Sequence, residues 1–137
     1  MIPTSSRPDA NSSSSLAPHG DGVTCVSMTP DGQHAVSGSF DRTLRVWDLE
    51  GGACLATFDD HRGAVASLSL TPDGTRAVSG SADHTVRVWD LGDGGCLAVI
   101  PASAPVAASA VSDRRVVFGT ASGTVAFADL LPLSTPR

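Results

Sequence analysis

Residues 19–60 read HGDGVTCVSMTPDGQHAVSGSFDRTLRVWDLEGGACLATFDD, and residues 61–102 read HRGAVASLSLTPDGTRAVSGSADHTVRVWDLGDGGCLAVIPA. The second stretch follows the first without a gap at an offset of 42 residues, and about 23 of the 42 aligned positions are identical. Self-similarity at such a period marks a chain built of stacked supersecondary units, each burying its apolar faces against its neighbours.

Within a unit the pattern is that of strands. Val23, Cys25 and Ser27 alternate with Thr24, Val26 and Met28, and Thr29-Pro30-Asp31-Gly32 then supplies a turn. A second run, 34–40, ends at Asp41-Arg42. A third, 43–49, alternates through Leu44, Val46 and Asp48 before Gly51-Gly52, and a fourth, 53–58, closes the unit. Four strands with three tight connections predict an antiparallel sheet, so the fold class is all-β.

The downstream stretch repeats this more faintly. Residues 106–111, 116–120 and 124–130 match the first three strands, with a first turn two residues shorter. The tail LPLSTPR carries two prolines and is a poor fourth strand. Residues 1–18, with four consecutive serines, read as a disordered leader. The expected organisation is therefore a tail (1–18), two full units (19–60 and 61–102), a degenerate partial unit (103–130) and a second tail (131–137).

The period, the Trp47-Asp48 and Trp89-Asp90 pairs and the preceding His19 and His61 resemble WD40 repeats, strongly over residues 19–100 and faintly to 130. The resemblance implies a β-propeller of four-stranded blades, here about two and a half. It also implies a buried hydrogen-bond network joining a His, a Ser or Thr, an Asp and the Trp of each blade. Carried over by position these are His19, Ser37, Asp41 and Trp47, then His61, Ser79, Asp83 and Trp89. Ser39 and Ser81 lie on the same strand face two residues on, so the choice of serine stays open at this point. Side-chain chemistry agrees, because a buried indole needs an acceptor and a Ser, His and Asp chain passes every proton to a partner.

In the third unit Phe118, Ser122 and Ala128 stand at the Ser, Asp and Trp positions and no His precedes the first strand, which leaves only apolar packing there. The Ser-His-Asp sets are read as structural and not catalytic, since they recur at the repeat period and no G-x-S-x-G elbow accompanies them. His34, His84 and the cysteines do not converge at metal-ligand spacing, and no cofactor motif is present.

Composition narrows the partners. The net charge is −5 and all nine basic residues are arginine, which disfavours nucleic acid. No apolar run is long enough for a membrane helix or a signal core. Cys25, Cys54 and Cys96 are an odd set, with Cys54 and Cys96 at one repeat position, expected to be buried thiols in a reducing, cytoplasmic setting. Arg42, Arg45 and Arg87 are expected on solvated faces or turns.

The expected role is a non-catalytic scaffold or adaptor that binds protein or peptide partners. The resemblance places contacts on one face of the ring, at Gly22, Thr24, Ala64, Ala66, Phe40 and Ala82, with Phe40 as the one large anchor. Uncovered flanks point to self-association that completes a propeller. The alternatives are a regulatory or sensor segment split from a larger bacterial signalling protein, such as a kinase or NTPase with WD repeats, and a truncated fragment without function.

Overall fold

The computed structural model describes residues 15, 16 and 18–130; the remainder of the two expected tails lies outside the described residues. All regular structure among them is β. The strands are β1 (Val23–Met28), β2 (His34–Ser39), β3 (Leu44–Asp48), β4 (Cys54–Phe58), β5 (Val65–Leu70), β6 (Arg76–Ser81), β7 (Thr85–Asp90), β8 (Cys96–Pro101), β9 (Val106–Val111), β10 (Arg115–Thr120) and β11 (Val125–Asp129). They form three antiparallel sheets in order β1-β2-β3-β4, β5-β6-β7-β8 and β9-β10-β11.

Turn chemistry explains why each sheet is a meander. In the first hairpin the Thr29 hydroxyl and the Gln33 N–H both donate to Asp31 Oδ1, at 2.7 and 2.9 Å. Gly32, at φ +73°, donates its N–H to the Thr29 carbonyl at 2.9 Å. Thr71 and Asp73 repeat the pairing at 2.8 Å in the second sheet. The next turn places Arg42 and His84 at φ 75° and 71°, a left-handed conformation unusual for side chains of this size. The carboxylates of Asp41 and Asp83 hold it by accepting the N–H of Thr43 and Thr85, each at 2.9 Å.

The sheets stack face to face. Val36, Leu44, Val46 and Phe58 of the first sheet form one core with Val65, Ala77 and Trp89 of the second. Val78, Val86 and Val88 of the second form another with Val106, Val116, Phe118 and Leu130 around the third. Phe58 stacks on Trp89 with centroids 5.0 Å apart and planes 14° from parallel. Each fully buried valine contributes about 1.5–3 kcal/mol, so a sheet draws most of its apolar stabilisation from its neighbour. The architecture is that of propeller blades in a partial array.

Contact between sheets is closest at a repeated glycine. A Cβ built on Gly38 would stand 2.6 Å from Val65 Cγ1 and 2.8 Å from Cys25 Sγ, and one on Gly80 would collide with Val106.

Three expectations are corrected. Cys54 is exposed and Cys96 only half-buried, because β4 and β8 are outer strands with one free side. Arg45 and Arg87 are half-buried, and their Nε atoms are buried without a hydrogen-bond partner among the described residues. Their alkyl stems lie on the strand face that carries Trp47 and Trp89, two residues on. The second strand of the third sheet, β10, begins at Arg115 rather than Val116, and the Arg115 side chain pairs with Asp129 at 2.8 Å.

Gly38→Ala is expected to destabilise the chain by about 1–3 kcal/mol through overpacking. Gly119→Ala, whose added methyl meets only the Thr124 carbonyl at 3.9 Å, is expected to fall within about 0.5 kcal/mol of wild type. Urea unfolding of the two variants measures the difference, and equal effects would contradict this account of the sheet contact.

Candidate functional site

Two buried networks, one per complete sheet, gather the polar side chains that carry chemistry. In the first, Trp47 Nε1 donates to Ser37 Oγ at 2.8 Å, and Ser37 Oγ lies 2.6 Å from His19 Nε2. His19 Nδ1 lies 3.0 Å from Asp41 Oδ2, which also accepts the Gly20 N–H at 2.9 Å. The second repeats it: Trp89 to Ser79 at 2.8 Å, Ser79 to His61 at 2.6 Å, and His61 to Asp83 at 2.9 Å.

One proton order satisfies every group in the network. In it each serine hydroxyl accepts the indole N–H and donates its own proton to histidine Nε2, while Nδ1–H donates to the carboxylate. Burial pulls the His61 pKa below its ordinary value, against the upward pull of Asp83, and the Arg87 charge adds to the lowering. For Asp41 and Asp83 burial acts to raise the pKa, but the hydrogen bonds outweigh it. Those from Thr43 to Asp41, and from Thr85 and the Arg62 N–H to Asp83, hold both carboxyls well below the usual carboxylate range.

Ser39 and Ser81 have a different task. Ser39 Oγ donates to the Gly22 carbonyl at 2.9 Å and accepts the Asp41 N–H at 3.0 Å; Ser81 does the same for Gly63 and Asp83 at 3.1 and 3.0 Å. They brace the turn while Ser37 and Ser79 join the network. Sequence reasoning missed Thr43 and Thr85, whose hydroxyls donate to the Asp41 and Asp83 carboxylates. Their recurrence at one repeat position was the available signal.

Ser-His-Asp contacts of this kind have the connectivity of a hydrolase triad, but the serines have no route to a substrate. Ser37, His19, Ser79 and His61 are all buried, and each serine oxygen is already shared between indole and imidazole. In the third sheet Phe118 fills the serine position and is buried; Thr120 and Ser122 pair through their hydroxyls at 2.9 Å. Among the described residues no group of three or more His, Cys, Asp or Glu side chains is placed to hold a metal ion.

The surface positions divide. Phe40 is 59% exposed, and a Cβ on Gly22 would stand 3.3 Å from its ring. Gly22 and Ala82 are exposed beside the same row of turns, where the Phe40 N–H bonds to Gly22 and the Ala82 N–H to Ala64, at 3.0 and 2.9 Å. Thr24 and Ala66 are half-buried. Thr24 is engaged within the fold, its hydroxyl donating to the Gly38 carbonyl at 3.2 Å and to the Val65 carbonyl of the next sheet. No helix among the described residues is long and apolar enough to cross a membrane.

Stacked four-stranded meanders with a Trp-Ser-His-Asp brace define a repeat protein of the propeller class. The family model described as "WD domain, G-beta repeat" matches residues 10–48 and 52–90. The chain belongs to the WD40 repeat family.

The chain is similar to the Notchless protein homolog of Arabidopsis thaliana, with 49% identity over 43 residues, 31% of this chain and 9% of that protein. It is similar to Striatin-4 of Homo sapiens, with 40% identity over 48 residues, 35% of this chain and 6% of that protein. A further relative is WD repeat-containing protein 18 of Mus musculus, with 37% identity over 51 residues, 37% of this chain and 12% of that protein. The chain thus matches only a small share of the length of these relatives. Among solved structures, the Cps50 (Swd1) beta-propeller domain of Myceliophteria thermophila superposes with a TM-score of 0.78 at 24% identity, over 83% of this chain and 36% of that one. That likeness concerns the fold.

Ser79→Ala leaves the Trp89 N–H and His61 Nε2 without their shared partner and is expected to cost about 1–3 kcal/mol for each orphaned group. Circular dichroism during urea unfolding measures it, and a loss under about 0.5 kcal/mol would contradict the network's role.

Acid should also destabilise the fold. Because the folded pKa of His61 lies below 6.5, the unfolded chain binds that proton first, so stability falls as the pH drops through and below 6.5. Asp41 and Asp83 add a second loss as the pH falls below 3.8. The urea midpoint is expected to be lower at about pH 5.5 than at about pH 7.5. An unchanged or higher midpoint would contradict a neutral, buried His61.

Proposed function

We propose that this chain is a non-catalytic interaction module that presents the rim around Phe40 to a protein or peptide partner. The observation that carries this reading is an aromatic ring left largely in solvent beside small residues on a braced scaffold. Aromatic side chains are enriched at interface hot spots, and the networks below hold Phe40, Gly22 and Ala82 in fixed relation. Ala66 lies at the same end and limits the depth of the surface, while Thr24 contributes through its bonds to the next blade rather than as a free contact.

The units 19–60, 61–102 and 103–130 act as two blades and a partial third. A protein partner is favoured over nucleic acid because the net charge is −5 and no lysine is present. A reducing compartment such as the cytoplasm suits three free cysteines. Self-association belongs to the same reading: the chain works with its open flanks covered.

Affinity capture with wild type, Phe40→Ala and Leu55→Ser tests the rim. Leu55, exposed on the outer strand β4, is the control. A partner retained by wild type and by Leu55→Ser but lost with Phe40→Ala is the expected result. Equal retention by all three would contradict it.

A further inference from the structure

The two contacts between sheets are copies of one another. Val65 of β5 is 0% exposed and rests on Gly38 of β2; Val106 of β9 is 1% exposed and rests on Gly80 of β6. A valine at the start of a first strand fills the space that a glycine leaves open in the second strand of the sheet before it. The ends of the array each carry half of that contact. Val23 of β1, at the Val65 position, is 53% exposed. Gly119 of β10, at the Gly80 position, has nothing over it among the described residues nearer than the Thr124 carbonyl, 3.9 Å from its Cβ position.

The surroundings follow the same rule. Val117, Val125 and Phe127 of the third sheet are 41%, 76% and 61% exposed, whereas Val78, Val86 and Val88 at the matching positions of the second are all 0% exposed. On the other flank Val26 and Met28 are exposed, whereas Leu68 and Leu70 at their positions pack against the core of the preceding sheet. A monomer rarely leaves contiguous apolar surface of this kind uncovered.

We propose that a second copy of this chain covers these flanks, with Val23 of one copy seated on Gly119 of the other and Val26 and Met28 laid over Val117 and Phe127. This deepens the self-association within the proposed function. A second copy is the indicated occupant because both halves of a contact already made twice inside the chain are left uncovered among the described residues. The contact is head-to-tail, and such contacts close into a ring when the rotation permits. Two copies bring six sheets, within the roughly four to eight blades of closed propellers, whereas three would bring nine. The assembly is therefore a two-copy ring with two identical Val23-to-Gly119 seats.

Light scattering after size exclusion tests this on the 137-residue chain, with circular dichroism on every peak. Wild type is expected at twice the chain mass. Val23→Asp removes the knob and Gly119→Val fills the hole, and each alone is expected at the single-chain mass with its β signal intact. Val23 is already half in solvent and a side chain on Gly119 meets the Thr124 carbonyl only at ordinary contact distance, 3.9 Å, so neither substitution disturbs the described core.

A single-copy wild type overturns the proposal, as does a two-copy Val23→Asp, which would mean face-to-face docking. Partner capture that still depends on Phe40 in a single-copy wild type would leave the Phe40 interaction surface standing while the self-association fails.

Discussion

A valine side chain pressed into the space above a glycine joins one sheet to the next, and the rest of the structure depends on that approach. With no Cβ on Gly38 or Gly80, the following first strand comes close enough for Val65 and Val106 to be fully buried. Two cores, one between each pair of sheets, follow from it. The stacking of Phe58 on Trp89 and the bond from the Thr24 hydroxyl to the Val65 carbonyl belong to the same approach. Burial here is therefore a property of neighbours, and a sheet with an uncovered face lacks much of its apolar stabilisation.

The Trp-Ser-His-Asp brace works inside a sheet. It ties the loop before the first strand to the turn after the second, across the third. Trp89 belongs to both systems: its ring packs in the inter-sheet core while its N–H anchors the network. In the third sheet the polar brace is replaced by Phe118, buried beside Val106 and Val116. Apolar packing against the second sheet takes over there. That substitution shows which of the two systems the fold retains when one is lost.

Much of this is legible in the sequence, for identifiable reasons. The 42-residue offset and the alternation around Thr29-Pro30-Asp31-Gly32 announce four-stranded units because turn chemistry and strand period are local. Spacing alone does not pick Ser37 over Ser39, since both lie on one strand face; the loop carbonyl of Gly22 beside Ser39 decides it. The exposure of Cys54 and the half-burial of Arg45 depend on what lies beside an outer strand or beyond a Trp ring, which a period of two does not report. The Val-on-Gly seat is equally hidden, because Gly38, Gly80 and Gly119 read as ordinary strand glycines until the next sheet is placed on them.

The central claim is that each sheet is ordered chiefly by the neighbour that covers it. Hydrogen exchange of the backbone amides, followed by mass spectrometry at concentrations dilute enough to keep single chains, tests it most directly. The account expects slowest exchange in β6, whose sheet has neighbours on both faces, and faster exchange in β2 and β10, whose sheets have one. Equal protection of β2, β6 and β10 under those conditions would contradict it.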